Sequence, residues 1–125
     1  MEQRYLLDTN IVIYLLHGNL NKSASTFLEP ILHDKPNISL ITKIELLSWE
    51  ADLAMSQQFV DSSNILPLED KIVNICIDIR RKHRMKVPDA LIAATSIGYN
   101  LELLTRNTAD FKKINELNWR NPFEL

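Results

Sequence analysis

Arg4-Tyr5-Leu6-Leu7-Asp8-Thr9-Asn10-Ile11-Val12-Ile13-Tyr14-Leu15-Leu16-His17-Gly18 decides how this chain is read. A short apolar run stops at an acid. A second apolar stretch follows, with Asn10 near its start and Gly18 just past its end. That order predicts a buried strand over 4–7, a loop carrying Asp8, and a helix over 9–16 closed by glycine. Downstream, short apolar runs go on alternating with stretches of helical periodicity, with no internal repeat. Residues 37–41 and 101–105 are further strand candidates, and 64–68 is a weaker one that Pro67 confines to a sheet edge or strand end. Between them lie helix candidates at 21–33, capped by Asn21 or Ser23, and at 42–59, as one or two helices with Leu46, Leu47, Leu53 and Phe59 as core residues. In 69–84, Ile72, Ile75, Cys76 and Ile79 repeat at helical spacing. Pro88 opens a helix over 89–99, whose Ala90, Ala93, Ala94 and Ser96 allow a neighbour to approach closely, and 109–114 is a last short helix. Strands alternating with helices predict one α/β domain over 1–125: a central parallel sheet with helices on both faces, three layers in all.

Composition narrows the class. The chain is 46% hydrophobic and 24% charged, as ordinary soluble domains are. A net charge of −2 argues against wrapping nucleic acid by bulk charge, though not against a local basic patch. The one cysteine, Cys76, excludes an internal disulfide framework and fits a reducing compartment; with His17, His33 and His83 it gives no zinc spacing. The N-terminus lacks a signal-peptide apolar core, and the longest apolar run in the first twenty residues, Ile11 to Leu16, is far short of the about 20 residues that span a bilayer. The expectation is a cytoplasmic protein without a membrane segment. Trp49 and Trp119 are expected in the core.

In parallel sheets, ligands bind beyond the carboxyl ends of the strands. Asp8, Glu45 and Asp110 each lie just past a predicted strand, and Asp89 opens a helix. Each acid has an ordinary structural role available. Asp8 suits a helix cap. Thr42-x-x-Glu45 matches a capping box. Asp89 and Asp110 suit the positive end of a helix dipole. Asp8 is the hardest to account for that way, because an acid at the end of a buried central strand is expensive unless neutralised. Several such acids at one sheet edge repel one another. Hard divalent cations such as Mg2+ or Mn2+ relieve that repulsion through oxygen ligands, and carboxylate-held ions serve phosphodiester cleavage. Arg80, Arg81, Lys82, Arg84 and Lys86 place five of the 14 basic residues within seven positions, with His83 among them, ending three residues before Asp89. A solvated helix end explains such a run; so does contact with the phosphates of RNA.

Four segments carry a family resemblance: Leu6-Leu7-Asp8-Thr9-Asn10; Thr42-Lys43-Ile44-Glu45-Leu46; Pro88-Asp89-Ala90-Leu91-Ile92-Ala93-Ala94; and Leu104-Thr105-Arg106-Asn107-Thr108-Ala109-Asp110-Phe111. Their order and spacing, across essentially the whole chain, resemble the PIN domain in its VapC-like bacterial form. The resemblance implies the PIN-like α/β/α fold, a metal-dependent ribonuclease acting on RNA, a homodimer, and a toxin silenced by a cognate antitoxin. Carried over residue by residue, Asp8, Glu45, Asp89 and Asp110 are its catalytic and metal-binding acids, with the fourth acid falling in some members where Asn107 stands. Thr9, Asn10, Thr105, Asn107 and Thr108 then orient carboxylates or waters. A receiver domain fits poorly, since Glu45 rather than Asp follows the second strand and Arg106 rather than Lys follows Thr105. A dehalogenase-type phosphatase wants Asp-x-Asp where this chain has Asp8-Thr9-Asn10. The remaining alternatives are a PIN-fold module that binds RNA or protein without cutting, and a metal-free α/β interaction domain.

Overall fold

Leu6 and Leu7 are neighbours in sequence and sit in different halves of the core, because successive strand residues point to opposite sheet faces. The computed structural model describes residues 3–125. In chain order, β1 (Tyr5–Leu7) leads to α1 (Thr9–Leu16) and α2 (Lys22–His33), and β2 (Asn37–Ser39) to α3 (Leu40–Ser48) and α4 (Leu53–Asp61). Then β3 (Asn64–Leu66) leads to α5 (Asp70–Lys82) and α6 (Val87–Gly98), and β4 (Glu102–Leu104) to α7 (Thr108–Phe111). The two-residue strand β5 (Trp119–Arg120) runs into a 3-10 turn at Pro122–Glu124.

The sheet has five strands in the order β3-β2-β1-β4-β5, every neighbouring pair parallel. Leu6 and Leu103 face α5, α6 and α7, where Ile72, Cys76, Ile79, Ala90, Ala93, Ala94 and Phe111 are buried. Leu7, Ile38 and Leu104 face α1 to α4, against Ile11, Val12, Leu28, Ile31, Leu46 and Val60. This is the three-layer α/β/α arrangement expected from the alternation of strands and helices. Each fully buried Leu or Ile stabilises the layers by about 1.5–3 kcal/mol before entropy is counted. The small residues of α6 do what small residues allow: a Cβ on Gly98 would collide with the Ile72 side chain of α5.

From β1 the chain builds outward to β3, then returns to the other side of β1 for β4 and β5. Strand order therefore reverses between β1 and β4, and their carboxyl ends flank the crevice where open α/β sheets bind ligands.

Several expectations need correcting. The second strand ends at Ser39, not 41, because the Ser39 hydroxyl accepts a hydrogen bond from the Ile41 amide (3.3 Å) and caps α3 there. Thr42 is consequently inside the helix, the Thr42-x-x-Glu45 capping box does not form, and Glu45 sits in the second turn. Leu53 is 46% exposed at the start of α4 and is no core residue. Trp119 is 36% exposed because β5 is an edge strand, and Trp49 is half-buried against the His17 ring. The last short helix occupies Thr108–Phe111 rather than 109–114. No helix among the described residues is long and apolar enough to cross a membrane.

Candidate active site

Asp8 immediately follows β1 and is 3% exposed. It occupies the N-cap position of α1, yet its side chain caps nothing there. Instead Thr105, at the end of β4 and fully buried, donates its hydroxyl hydrogen to Asp8 Oδ2 (2.8 Å). The same Thr105 oxygen accepts from the Asn107 amide (2.9 Å). One threonine thus ties the ends of the two strands together across the point where strand order reverses.

Glu45 is held in a parallel way. Thr9 Oγ1 donates to Glu45 Oε1 (2.7 Å) and lies 2.9 Å from Thr42 Oγ1. A hydroxyl has one hydrogen, so with Thr9 donating to Glu45, Thr42 is the donor to Thr9. Asp89 stands in the first turn of α6, half-buried. Asp110, on α7, is exposed and accepts from Asn107 Nδ2 (3.0 Å).

The charges of Asp89 and Glu45 reach Asp8, and those of Asp110 and Glu45 reach Asp89. Burial pushes the Asp8 carboxyl up from 3.8 to about 6; the charges of Asp89 and Glu45 push the same way, opposed by the Thr105 hydrogen bond and the Thr9 amide. Asp89 is also raised, first by burial and then by Asp110 and Glu45, with Lys86 opposing. None of the four acids is in an ion pair among the described residues. A buried carboxylate such as Asp8, under like charges and outside any ion pair, is what a functional site tolerates and a structural site avoids. The donor set is all oxygen and net negative, which suits a hard divalent cation. Among the described residues, however, no three His, Cys, Asp or Glu are gathered tightly enough to hold one ion. The arrangement fits an ion gripped by one or two carboxylates that keeps several of its waters, which is the habit of Mg2+.

The family model for the PIN domain matches residues 5–117. This chain belongs to the PIN domain family. Ribonuclease VapC of Rickettsia bellii (strain RML369-C) is 32% identical to it, over 90% of this chain and 91% of that protein. Among solved structures, a toxin-antitoxin complex from Klebsiella pneumoniae contains a chain that is 32% identical with a TM-score of 0.75, covering 97% of this chain and 99% of that one. VapBC2 from Rickettsia felis, bound to a DNA fragment from its promoter, is 26% identical with a TM-score of 0.76, covering 94% and 97%.

Within this PIN domain, the residues expected to orient the acids divide. Thr9, Thr105 and Asn107 each bond a carboxylate. Asn10 is exposed, and neither it nor Thr108 is drawn into this hydrogen-bond set. The basic stretch is only partly at the crevice. Arg80, Arg81 and Lys82 form the last turn of α5, where Lys82 pairs with Asp78 (3.1 Å) and Arg80 Nε donates to Met85 O (3.2 Å). Arg84 and Lys86 lie exposed in the connection to α6, and Lys86 is the one whose charge reaches Asp89. In the sequence Thr42 has a complete local explanation as a helix cap, which hides its support of Thr9. The signal that would have found it is its burial, which only the fold supplies.

Proposed function

We propose that this PIN domain is a Mg2+- or Mn2+-dependent endoribonuclease, and the toxin of a toxin–antitoxin pair. The observation that carries the reading is the buried Asp8 at the strand-reversal crevice, under the charges of Asp89 and Glu45, with no cation paired to any of the three among the described residues. The similarity to Ribonuclease VapC and to toxin–antitoxin complexes supports RNA as the substrate class and a cognate antitoxin as the partner.

The reaction is hydrolysis of an RNA phosphodiester by in-line attack of water. A bound divalent ion supplies positive charge against the phosphate oxygens and acidifies water. The protein's own part is positional. Asp8 and Asp89 hold the ion. Glu45 and Asp110 would add to the negative charge around it. Thr105 fixes Asp8 and Thr9 fixes Glu45, so neither carboxylate has to be ordered when substrate arrives. The stretch from Arg80 to Lys86 holds the RNA backbone, with Lys86 nearest the acids. The protein acts in the cytoplasm as a homodimer, for which exposed Val73, Ile77 and Val87 on α5 and α6 offer an apolar face.

The test is incubation of purified protein with total RNA, in Mg2+ or Mn2+ against EDTA, beside Asp8→Asn. Cutting that needs metal and disappears in the folded variant is the expected result. Near-full activity in a folded Asp8→Asn protein would overturn the assignment, and a folded protein that neither binds metal nor cuts would favour the non-catalytic scaffold.

A further inference from the structure

Arg106 is the residue directly after Thr105. Its guanidinium carbon lies 4.2 Å from the centre of the Phe123 ring and 4.9 Å from that of Tyr14. The two rings meet edge to face, 5.3 Å apart at 64°, and make a notch for it. The notch is built from distant parts of the chain. Tyr14 comes from α1. Phe123 comes from the closing 3-10 turn, which is itself fastened to the start of α2: Asn21 Nδ2 donates to Phe123 O (2.9 Å) and Ser23 Oγ to Pro122 O (2.8 Å). Asn121 Oδ1 accepts from the Phe123 amide (3.0 Å).

Arg106 is exposed and makes no ion pair among the described residues, although both of its chain neighbours bond to acids of the site. Thr105 holds Asp8 and Asn107 holds Asp110. A guanidinium stacked on ring faces is restrained without using its in-plane N–H donors, and that leaves a fork matched to phosphate. Its position also complements the basic stretch. Lys86 approaches the acids from the α5–α6 layer, whereas Arg106 rests on α1, in the layer across the sheet. An anionic chain crossing a negatively charged crevice needs cations on both banks.

We propose that Arg106, clamped by Tyr14 and Phe123, is a binding residue for a phosphate of the RNA backbone, on the opposite side of the crevice from Lys86. This rests on the ribonuclease reading above. It is tested by binding of fluorescein-labelled single-stranded RNA in EDTA across a salt series, in an Asp8→Asn background where cleavage does not interfere. Arg106→Met keeps an unbranched side chain on the two rings and removes the charge; thermal melting checks that it folds. Its affinity should fall about tenfold, as for loss of one charged hydrogen bond at an open surface, and the slope of log affinity against log salt should shrink by about 0.7, one phosphate contact. Arg106→Lys should restore the slope and only part of the affinity. Phe123→Leu should weaken binding with little change of slope. If Arg106→Met melts lower but binds RNA with unchanged affinity and slope, Arg106 is only a fastener for the closing turn and the proposal is wrong; absence of RNA binding in every form overturns it too. Metal-dependent cutting by otherwise wild-type protein is scored separately. If Arg106→Met leaves that cutting and RNA binding untouched, this inference alone fails. A wild-type chain that never cuts, while the salt slope responds as stated, refutes the ribonuclease reading alone.

Discussion

Asn37, at the start of β2, and Asp8, just past the end of β1, are both nearly sealed from solvent, at 5% and 3% exposure. Their surroundings differ in kind. Asn37 Nδ2 donates to Tyr5 O (3.0 Å), and its Oδ1 accepts from Asn64 Nδ2 (2.8 Å), on the strand that pairs with it. Beside this ladder, Gln3 Nε2 donates to Asp34 O (2.7 Å) and Ile31 O (3.1 Å). The amino ends of these strands are therefore stitched by neutral amides with partners. At the carboxyl ends the polar groups are acids, and Asp8 has the Thr105 hydroxyl and the Thr9 amide, but no cation among the described residues, to set against burial and the charges of Asp89 and Glu45. Both ends bury polarity. One end satisfies it and gains stability; the other leaves charge uncompensated, and that is worth keeping only if something is to be bound there.

Substitutions at the two ends should have different consequences. The largest expected effect is at the acidic edge. Asp89→Asn should lower the single-turnover rate of RNA cleavage about a thousandfold, equivalent to about 4 kcal/mol of lost charge stabilisation, while urea denaturation in EDTA shows stability unchanged or increased. Next is the residue that joins the two strand ends. Thr105→Val leaves Asp8 in place without its donor and should weaken Mg2+ or Mn2+ binding about 10- to 100-fold by calorimetry. A smaller effect belongs to the neutral end. Asn37→Ala strands Tyr5 O and Asn64 Nδ2 and should reduce unfolding free energy by about 1–3 kcal/mol, with cleavage per folded molecule unchanged. An Asn37 variant that folds normally but stops cutting would show that the two ends are not separable as argued.

Much of this was legible before any coordinates. Asp8 could be singled out because it ends an apolar run, and the helices α1, α2, α5 and α6 because their apolar periodicity or flanking residues mark them. What stayed hidden is what sequence neighbours do not encode. β5 is two residues, Trp119 and Arg120, with no apolar run to announce it; it exists because β4 offers an open edge. Thr42 obeyed a local capping rule and was claimed by tertiary structure instead, once Ser39 had started the helix. The Thr105–Asp8 bond joins residues 97 positions apart. The Arg106 notch likewise draws on α1 and the closing turn, so neither has a local signature.

The most direct measurement is urea unfolding of the wild-type chain and Asp8→Asn, in EDTA and in Mg2+, from pH 4 to pH 7. Because folding raises the Asp8 carboxyl from 3.8 to about 6, the folded state binds more protons than the unfolded state between those values. Its contribution to stability must therefore decline as pH rises from about 4 to 6, by about 3 kcal/mol at most. Asparagine carries no such penalty. At pH 7 in EDTA the variant should be the more stable protein, the gap should narrow toward pH 4, and Mg2+ should raise the stability of the wild type far more than that of the variant. A wild type more stable than Asp8→Asn at pH 7 in EDTA, and indifferent to Mg2+, would contradict these expectations.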